Sequence, residues 1–339
     1  MRHNIKLRVL LLLGLVFIGS CASEKTLKFT EFHMGTFVEI TIMYPDKKVG
    51  GELVQQAFNM VGRIDSLMNV YSEKSEVSIL NRQGRINASR ETAEVILRSI
   101  EFSRLSAGAF DVTIRPLANL WRMAKQNKKL PEKADLERAR RLVNYHDIVI
   151  NQAEISLKRK GMQVDLGGIA KGYAIDKAID VLRKGGIKRA LVNGGGDIYA
   201  LGKGPRRGKW RIGIQHPRRD DSFLAILSLR DRAVATSGDY QRYFTLEGKR
   251  YSHIINPKTG RPVQDIPMSV TVIAPDCTTA DALATAVFVL GPERGLKLIE
   301  DMQDVEGLVV SADGKAYVSS GMKDILVGEI HRDFRIVSR

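Results

Sequence analysis

An acid and a hydroxyl one helical turn apart, a histidine beside a tight turn, and two glycine-rich segments bearing carboxylates are the residues here best suited to chemistry. In Thr279-Ala280-Asp281-Ala282-Leu283-Ala284-Thr285-Ala286 and onward, the apolar positions Ala282, Leu283, Ala286, Val287 and Leu290 recur with helical spacing. Asp281 and Thr285, at i and i+4, therefore share a face and can converge on one ligand. A carboxylate and a hydroxyl are hard oxygen donors, suited to Mg²⁺ or Ca²⁺ rather than to a thiolate-loving metal. Upstream, in Ser252-His253-Ile254-Ile255-Asn256-Pro257-Lys258-Thr259-Gly260, the Asn-Pro-Lys-Thr-Gly part reads as a turn, with proline presetting the first corner and glycine supplying φ > 0 at its close. His253 thus sits where a scaffold meets a loop. Taken alone, the Asp-x-x-x-Thr pair also serves capping and solvation, and a turn histidine is commonly structural, so both readings stay open on these residues.

The glycine-rich segments raise the same choice. Met162-Gln163-Val164-Asp165-Leu166-Gly167-Gly168-Ile169-Ala170-Lys171-Gly172 is expected to place Asp165 at a strand end and its glycines just before a helix, opening backbone groups to a phosphate or cation. Leu191 to Asp197 is a second strand running into a glycine turn. Neither has the spacing of a Rossmann fingerprint or a Walker A loop, and each reads first as a tight turn.

The elements that must position these residues alternate without an internal repeat. Residues 37–43 alternate and are β-branched, predicting a strand. Helical periodicity covers 53–67 and 92–105, a hairpin covers 147–150 and 154–157, and a helix over 169–182 ends at Gly185-Gly186. Short strands follow at 189–193, 197–201, 210–215, 223–229, 233–236, 242–246 and 268–274. Helices at 278–290 and 293–302 and strands at 307–311 and 316–319 complete the pattern. Many consecutive strands with helices grouped between them predict an α+β fold, not a doubly wound one.

The N-terminus speaks to compartment. Arg2, Lys6 and Arg8 precede an apolar run, Val9 to Ile18, too short to span a bilayer, so residues 1–20 read as a signal peptide. The run closes on Gly19-Ser20-Cys21-Ala22, which resembles the bacterial lipoprotein signal, in which the cysteine is lipidated and becomes the first mature residue. That implies a short tether, 21–28, then a globular domain, 29–339, anchored by lipid outside the cytoplasmic membrane and facing the periplasm in a Gram-negative cell. Lipidation of Cys21 would leave Cys277, the one other cysteine, without an intramolecular disulfide partner. The charge balance is basic, 53 Lys and Arg against 38 Asp and Glu, and is concentrated in 122–141 and 203–219. Such patches attract anions. Outside the cytoplasm nucleic acid is not the expected partner, whereas a membrane surface or a phosphorylated ligand is.

Together the motifs reach a family. Met34-Gly35-Thr36, Tyr71-Ser72, Gly108-Ala109-Phe110-Asp111-Val112-Thr113, Val164 to Tyr173, Asn193 to Asp197, Ala235-Thr236-Ser237-Gly238-Asp239, His253 to Pro257 and Ala280 to Thr285 occur in the order seen in the ApbE family. The chain resembles that family from about residue 29 to 330, nearly all of the expected domain. The resemblance implies a single α+β domain of mixed, largely antiparallel sheets with packed helices, related to the T-fold. It implies FAD as substrate, bound by Met34, Tyr71, Ala109, Phe110, Asp111, Asp165, Lys171 and backbone near Ile255. It further implies Mg²⁺ held by the Gly168 carbonyl and the Asp281 and Thr285 side chains. The implied reaction moves FMN from FAD to a Thr or Ser hydroxyl of an acceptor flavoprotein and releases AMP, with acceptors in Nqr- or Rnf-type membrane redox complexes. His253 is the leading general base, since an unperturbed imidazole titrates near neutral pH, and Asp281 is the other residue able to take the proton. Two alternatives stand beside it: an FAD pyrophosphatase using water at the same site, and a non-catalytic FAD-binding lipoprotein.

Overall fold

A computed structural model describes residues 24–240, 243–264 and 267–337. The signal segment 1–20 and Cys21 lie outside the described residues. The core is a nine-stranded sheet: β1 (Lys25–His33), β2 (Thr36–Tyr44), β3 (Ala190–Gly194), β4 (Asp197–Leu201), β5 (Arg232–Gly238), β6 (Ser269–Ala274), β7 (Glu306–Val310), β8 (Lys315–Val318) and β9 (Arg335–Val337). These lie side by side in chain order, antiparallel throughout except for β8 against β9. Helices α1 (Lys47–Met68), α2 (Glu76–Gln83), α3 (Arg90–Leu105), α4 (Arg115–Asn127), α5 (Lys133–Arg141), α6 (Ala170–Lys184) and α7 (Cys277–Glu300) accompany it, with smaller sheets that include the Ile148–Asn151/Glu154–Leu157 hairpin. Among the described residues no helix is long and apolar enough to cross a membrane.

Alternation along each strand assigns the two faces. In β4, Tyr199 and Leu201 join the main core beneath α1, α6 and α7, while Ile198 and Ala200 face the second core under the Trp210–His216/Arg219–Leu229 hairpin. Asp197 has the parity of Tyr199 and Leu201, which aims it at the helices. A third cluster packs Leu117 and Trp121 of α4 and Leu136 of α5 against Tyr251 and Ile255.

Several sequence expectations need correction. The strand expected at 37–43 starts at Thr36, and the Met34-Gly35 part of the family motif, which the resemblance would place on that first strand, forms the turn between β1 and β2, both residues at positive φ (52° and 73°). The strand expected before Asp165 is absent: residues 162–166 have no regular secondary structure. β1 was not anticipated, and its first residues fall within the stretch expected to be a tether; as an edge strand with Leu27 alone fully buried, it carries little apolar signal. Helices α2 and α5 were also not foreseen, being short and charged, and neither was α4, although Leu117, Trp121 and Ala124 are buried along one of its faces. The two helices expected at 278–290 and 293–302 meet at Gly291, whose non-helical φ/ψ (77°, 177°) breaks the ladder ahead of Pro292.

Candidate active site

The site is built where the first turns of α6 and α7 cross. Gly172 permits the crossing: a Cβ there would lie 2.2 Å from the Cys277 carbonyl oxygen. Each helix caps the other. Asp176 of α6 accepts from the Cys277 and Thr278 N–H groups of α7, both at 2.8 Å, and from the Thr278 hydroxyl. Asp281 of α7 accepts from Gly172 N–H at 3.1 Å, supplying the partner that α6 lacks from its own N-cap, Ile169. Burial pushes the Asp176 carboxyl up to about 7 despite these three bonds.

Lys171 is thereby held against two acids. Its Nζ is bonded to Asp197 and lies 3.9 Å from Asp281 Oδ2. Burial alone would lower the ammonium's pKa, but Asp197 and then Asp281 outweigh it and keep Lys171 charged. Asp197 is pushed up to about 7, first by burial and then by the Asp281 charge, with Lys171 opposing. It opens β4 after Gly195 and Gly196, whose φ values are +63° and +100°; a Cβ on Gly195 would sit 2.7 Å from Thr36 Oγ1. Met34, Thr36, Lys171 and Gly194 line one small pocket beside this turn. Thr285 stands across from Gly168: a Cβ there would lie 3.2 Å from Thr285 Oγ1 and 3.3 Å from the Phe110 ring. Gly168, Thr285 and Phe110 therefore meet at one spot.

A second grouping adjoins the first through the chain. Asp165 accepts from Gly167 N–H at 2.9 Å and from Arg115 at 2.9 Å, and its own N–H donates to Val112 O at 2.7 Å. The Arg115 guanidinium also lies 5.0 Å from the ring centroid of Tyr71, which is 72% exposed. On the other side of Val112, buried Asp111 accepts from Thr113 N–H and Oγ1 and from Tyr145 N–H, while burial raises its pKa. Asp111 and Gly108 line a cleft of about 440 Å³ walled by Arg140, Arg141, Arg159 and Lys258. The Asn256–Gly260 turn borders it. Gly260 N–H closes on Asn256 O at 2.8 Å, Trp121 Nε1 donates to Gly260 O at 2.7 Å, and buried Ile255 pairs with Pro262.

The structure thus brings Lys171, Asp281, Gly168, Thr285 and Phe110 together, with Met34 at the pocket beside Lys171. Ala109 is buried between Gly108 and Phe110, on the segment that leads from the cleft to Gly168. Tyr71 and Asp165 are joined by Arg115. His253 is exposed, one residue past the Lys249–Ser252 strand and just before the turn that borders the cleft. Asp197 and Arg115 were not among the anticipated site residues. The acid after three glycines was a usable signal for the first, whereas nothing local marks Arg115. Among the described residues, one further group of ligand-type atoms lies close together, His216, His331 and Asp333. The two histidine Nδ1 atoms accept backbone N–H bonds from Arg218 and Asp333, and His216 Nε2 lies 3.3 Å from Asp333 Oδ2.

Acids spaced around a half-buried lysine, beside a cleft walled by cations, define a protein that handles a polyanionic ligand on an antiparallel α+β scaffold. The chain belongs to the ApbE family, whose model matches residues 34–309. It is 35% identical over 302 residues to the FAD:protein FMN transferase of Vibrio cholerae, covering 86% of this chain and 90% of that protein. Among solved structures it resembles the ApbE protein of Thermotoga maritima (TM-score 0.82, 32% identity, 90% of this chain and 100% of that one). It also resembles the flavin transferase ApbE of Vibrio cholerae (TM-score 0.78, 32% identity, 89% and 100%).

Proposed function

We propose that this protein transfers FMN from FAD to a Thr or Ser hydroxyl of an acceptor flavoprotein and releases AMP. The arrangement of Lys171, Asp197 and Asp281 beside Gly168 and Thr285, in a chain of this family, carries the proposal. One ammonium faces two carboxylates there, and Asp197 is pushed up first by burial and then by the Asp281 charge. A pyrophosphate would be repelled by such a cluster unless a cation joined it. The donors fit a hard divalent ion: a carboxylate, a hydroxyl, and a glycine whose missing side chain leaves the Thr285 hydroxyl uncovered. Mg²⁺ held by Asp281, Thr285 and the Gly168 carbonyl would neutralise pyrophosphate charge and stabilise the oxygens of the transferring group.

The chain's own residues do the rest. Lys171 stays charged and adds a fixed positive group beside the phosphates. Tyr71, steadied by Arg115, offers an exposed aromatic face for a flavin ring. Met34, Ala109, Phe110, Asp111, Asp165 and the backbone at Ile255 line the remaining FAD surface. His253 takes the acceptor hydroxyl proton, with the attacking oxygen forming a P–O bond as the bond to AMP breaks; a loose transition state asks little of this base. The acceptor is a flavoprotein subunit of an Nqr- or Rnf-type redox complex, and the enzyme is held outside the cytoplasmic membrane by lipid on Cys21. Incubation with FAD, Mg²⁺ and such a subunit tests the reading. Covalent flavin on the acceptor with AMP supports it; free FMN with AMP points to hydrolysis, and unchanged FAD to mere binding.

A further inference from the structure

Strands β1, β3 and β4 run between the site and a cluster of cations. Met34, Gly194 and Asp197 stand at one end, and Lys25, Arg189 and Lys203 at the other. With a rise of about 3.4 Å per residue, the two ends of β1 are about 27 Å apart. At the end remote from the site, Arg189 is ion-paired with Glu24, and its Nε donates to Lys203 O at 2.6 Å. This ties the start of the described chain to a basic loop. Bridges Gly204↔Gly208 and Arg206↔Lys209, with Lys209 N–H on Arg206 O at 3.0 Å, fold that loop into a compact turn. Lys203, Arg206, Arg207 and Lys209 are all exposed on it, and residues 203–209 include no acid. The acids nearby are engaged: Glu24 on Arg189, Asp46 capping α1, and Asp231 accepting from Gly202 N–H.

We propose that this end of the sheet is a membrane-contact face, in which the 203–209 turn binds anionic lipid headgroups and the flavin site points away from the bilayer. The proposal rests on the lipid-anchor reading. Three Cα–Cα steps separate Cys21 from Glu24, so an acylated Cys21 lies within about 11 Å of Glu24. A tether that short leaves the turn no room to stand clear of the headgroups. Each cation near an anionic surface then adds attraction that decays within a Debye length. The acceptor hydroxyl must accordingly be presented at the height set by β1.

Two measurements test this. The soluble Cys21→Ser chain is expected to cosediment with phosphatidylglycerol-containing vesicles but not with pure phosphatidylcholine, and to be released by salt. Reversal of the turn (Lys203→Glu, Arg206→Glu, Arg207→Glu, Lys209→Glu) should weaken that binding on the order of five-fold per cation. Binding that survives reversal, or no binding to anionic vesicles, overturns the proposal; the latter result would assign the turn to an acidic protein instead. In the second, the full lipidated chain is placed on vesicles carrying a headgroup acceptor dye, with a donor at Arg207→Cys or Phe37→Cys; Cys277 is buried with its thiol pKa raised by burial and does not compete for label. Strong quenching at Arg207→Cys and weak quenching at Phe37→Cys is expected, and equal quenching overturns the orientation. The mass of the N-terminal peptide reports acylation separately, so failure of the anchor is distinguished from failure of the face.

Discussion

Asp281 holds three relationships at once: it accepts from Gly172 N–H, faces Lys171, and stands one helical turn from Thr285. Asp281→Ala is therefore expected to abolish metal-dependent turnover. Its stability cost should be modest, about 1–3 kcal/mol for the orphaned Gly172 N–H, partly offset because Asp197 loses a like-charged neighbour. Isothermal titration with Mg²⁺ beside a denaturation curve checks both parts, and retained Mg²⁺-dependent activity would remove Asp281 from the metal site. At this scale the sequence was informative where spacing itself encodes proximity. The i, i+4 relation made Asp281 and Thr285 legible as a pair. Lys171 meeting Asp197 across 26 residues was not, because no local rule reports which strand end lands beside which helix start. Arg115 was hidden for the same reason: its partners Tyr71 and Asp165 lie far away in the chain.

The α6–α7 crossing is the element on which the site depends. Gly172→Ala would drive a methyl into the Cys277 carbonyl, and backbone on backbone has no rotamer with which to yield. We expect a loss of about 1–3 kcal/mol in chemical denaturation and a larger proportional loss of turnover, since Lys171 and Asp281 move with their helices. Unchanged activity would mean that the crossing does not set the geometry. Asp176 supplies a pH signature for the same junction. Its carboxyl titrates near 3.8 unfolded and about 7 folded, so the folded state holds the proton more tightly and stability falls as pH rises between those values. Asp176→Asn, whatever its absolute stability, should show a flatter melting-temperature profile from pH 4 to pH 7; parallel profiles would assign the slope to other groups. Strands with clear alternation and helices with an apolar stripe were legible in the sequence, β2, α1, α3, α6 and the two arms of α7 among them. Edge strand β1 and charged α5 were not, because their patterns follow from what they lie against in space.

At the scale of the whole molecule, the basic balance and the N-terminal signal belong together. If Cys21 is lipidated as proposed, a cationic chain on a short stem would face an anionic surface. In high salt, Cys21→Ser is expected to move the protein from the membrane to the soluble fraction with its transferase activity intact. Continued sedimentation of that variant in high salt would place the anchor elsewhere. Fold class and family were legible in the order of motifs spread along the chain, whereas the sequential order of all nine strands across one sheet was not. The most direct test of the central claim is mass spectrometry of a purified Nqr- or Rnf-type acceptor subunit after incubation with this protein, FAD and Mg²⁺. The account predicts FMN on a single Thr or Ser, with AMP in equal amount and neither product with Asp281→Ala. An unmodified acceptor, with FAD cleaved to free FMN and AMP, would contradict it.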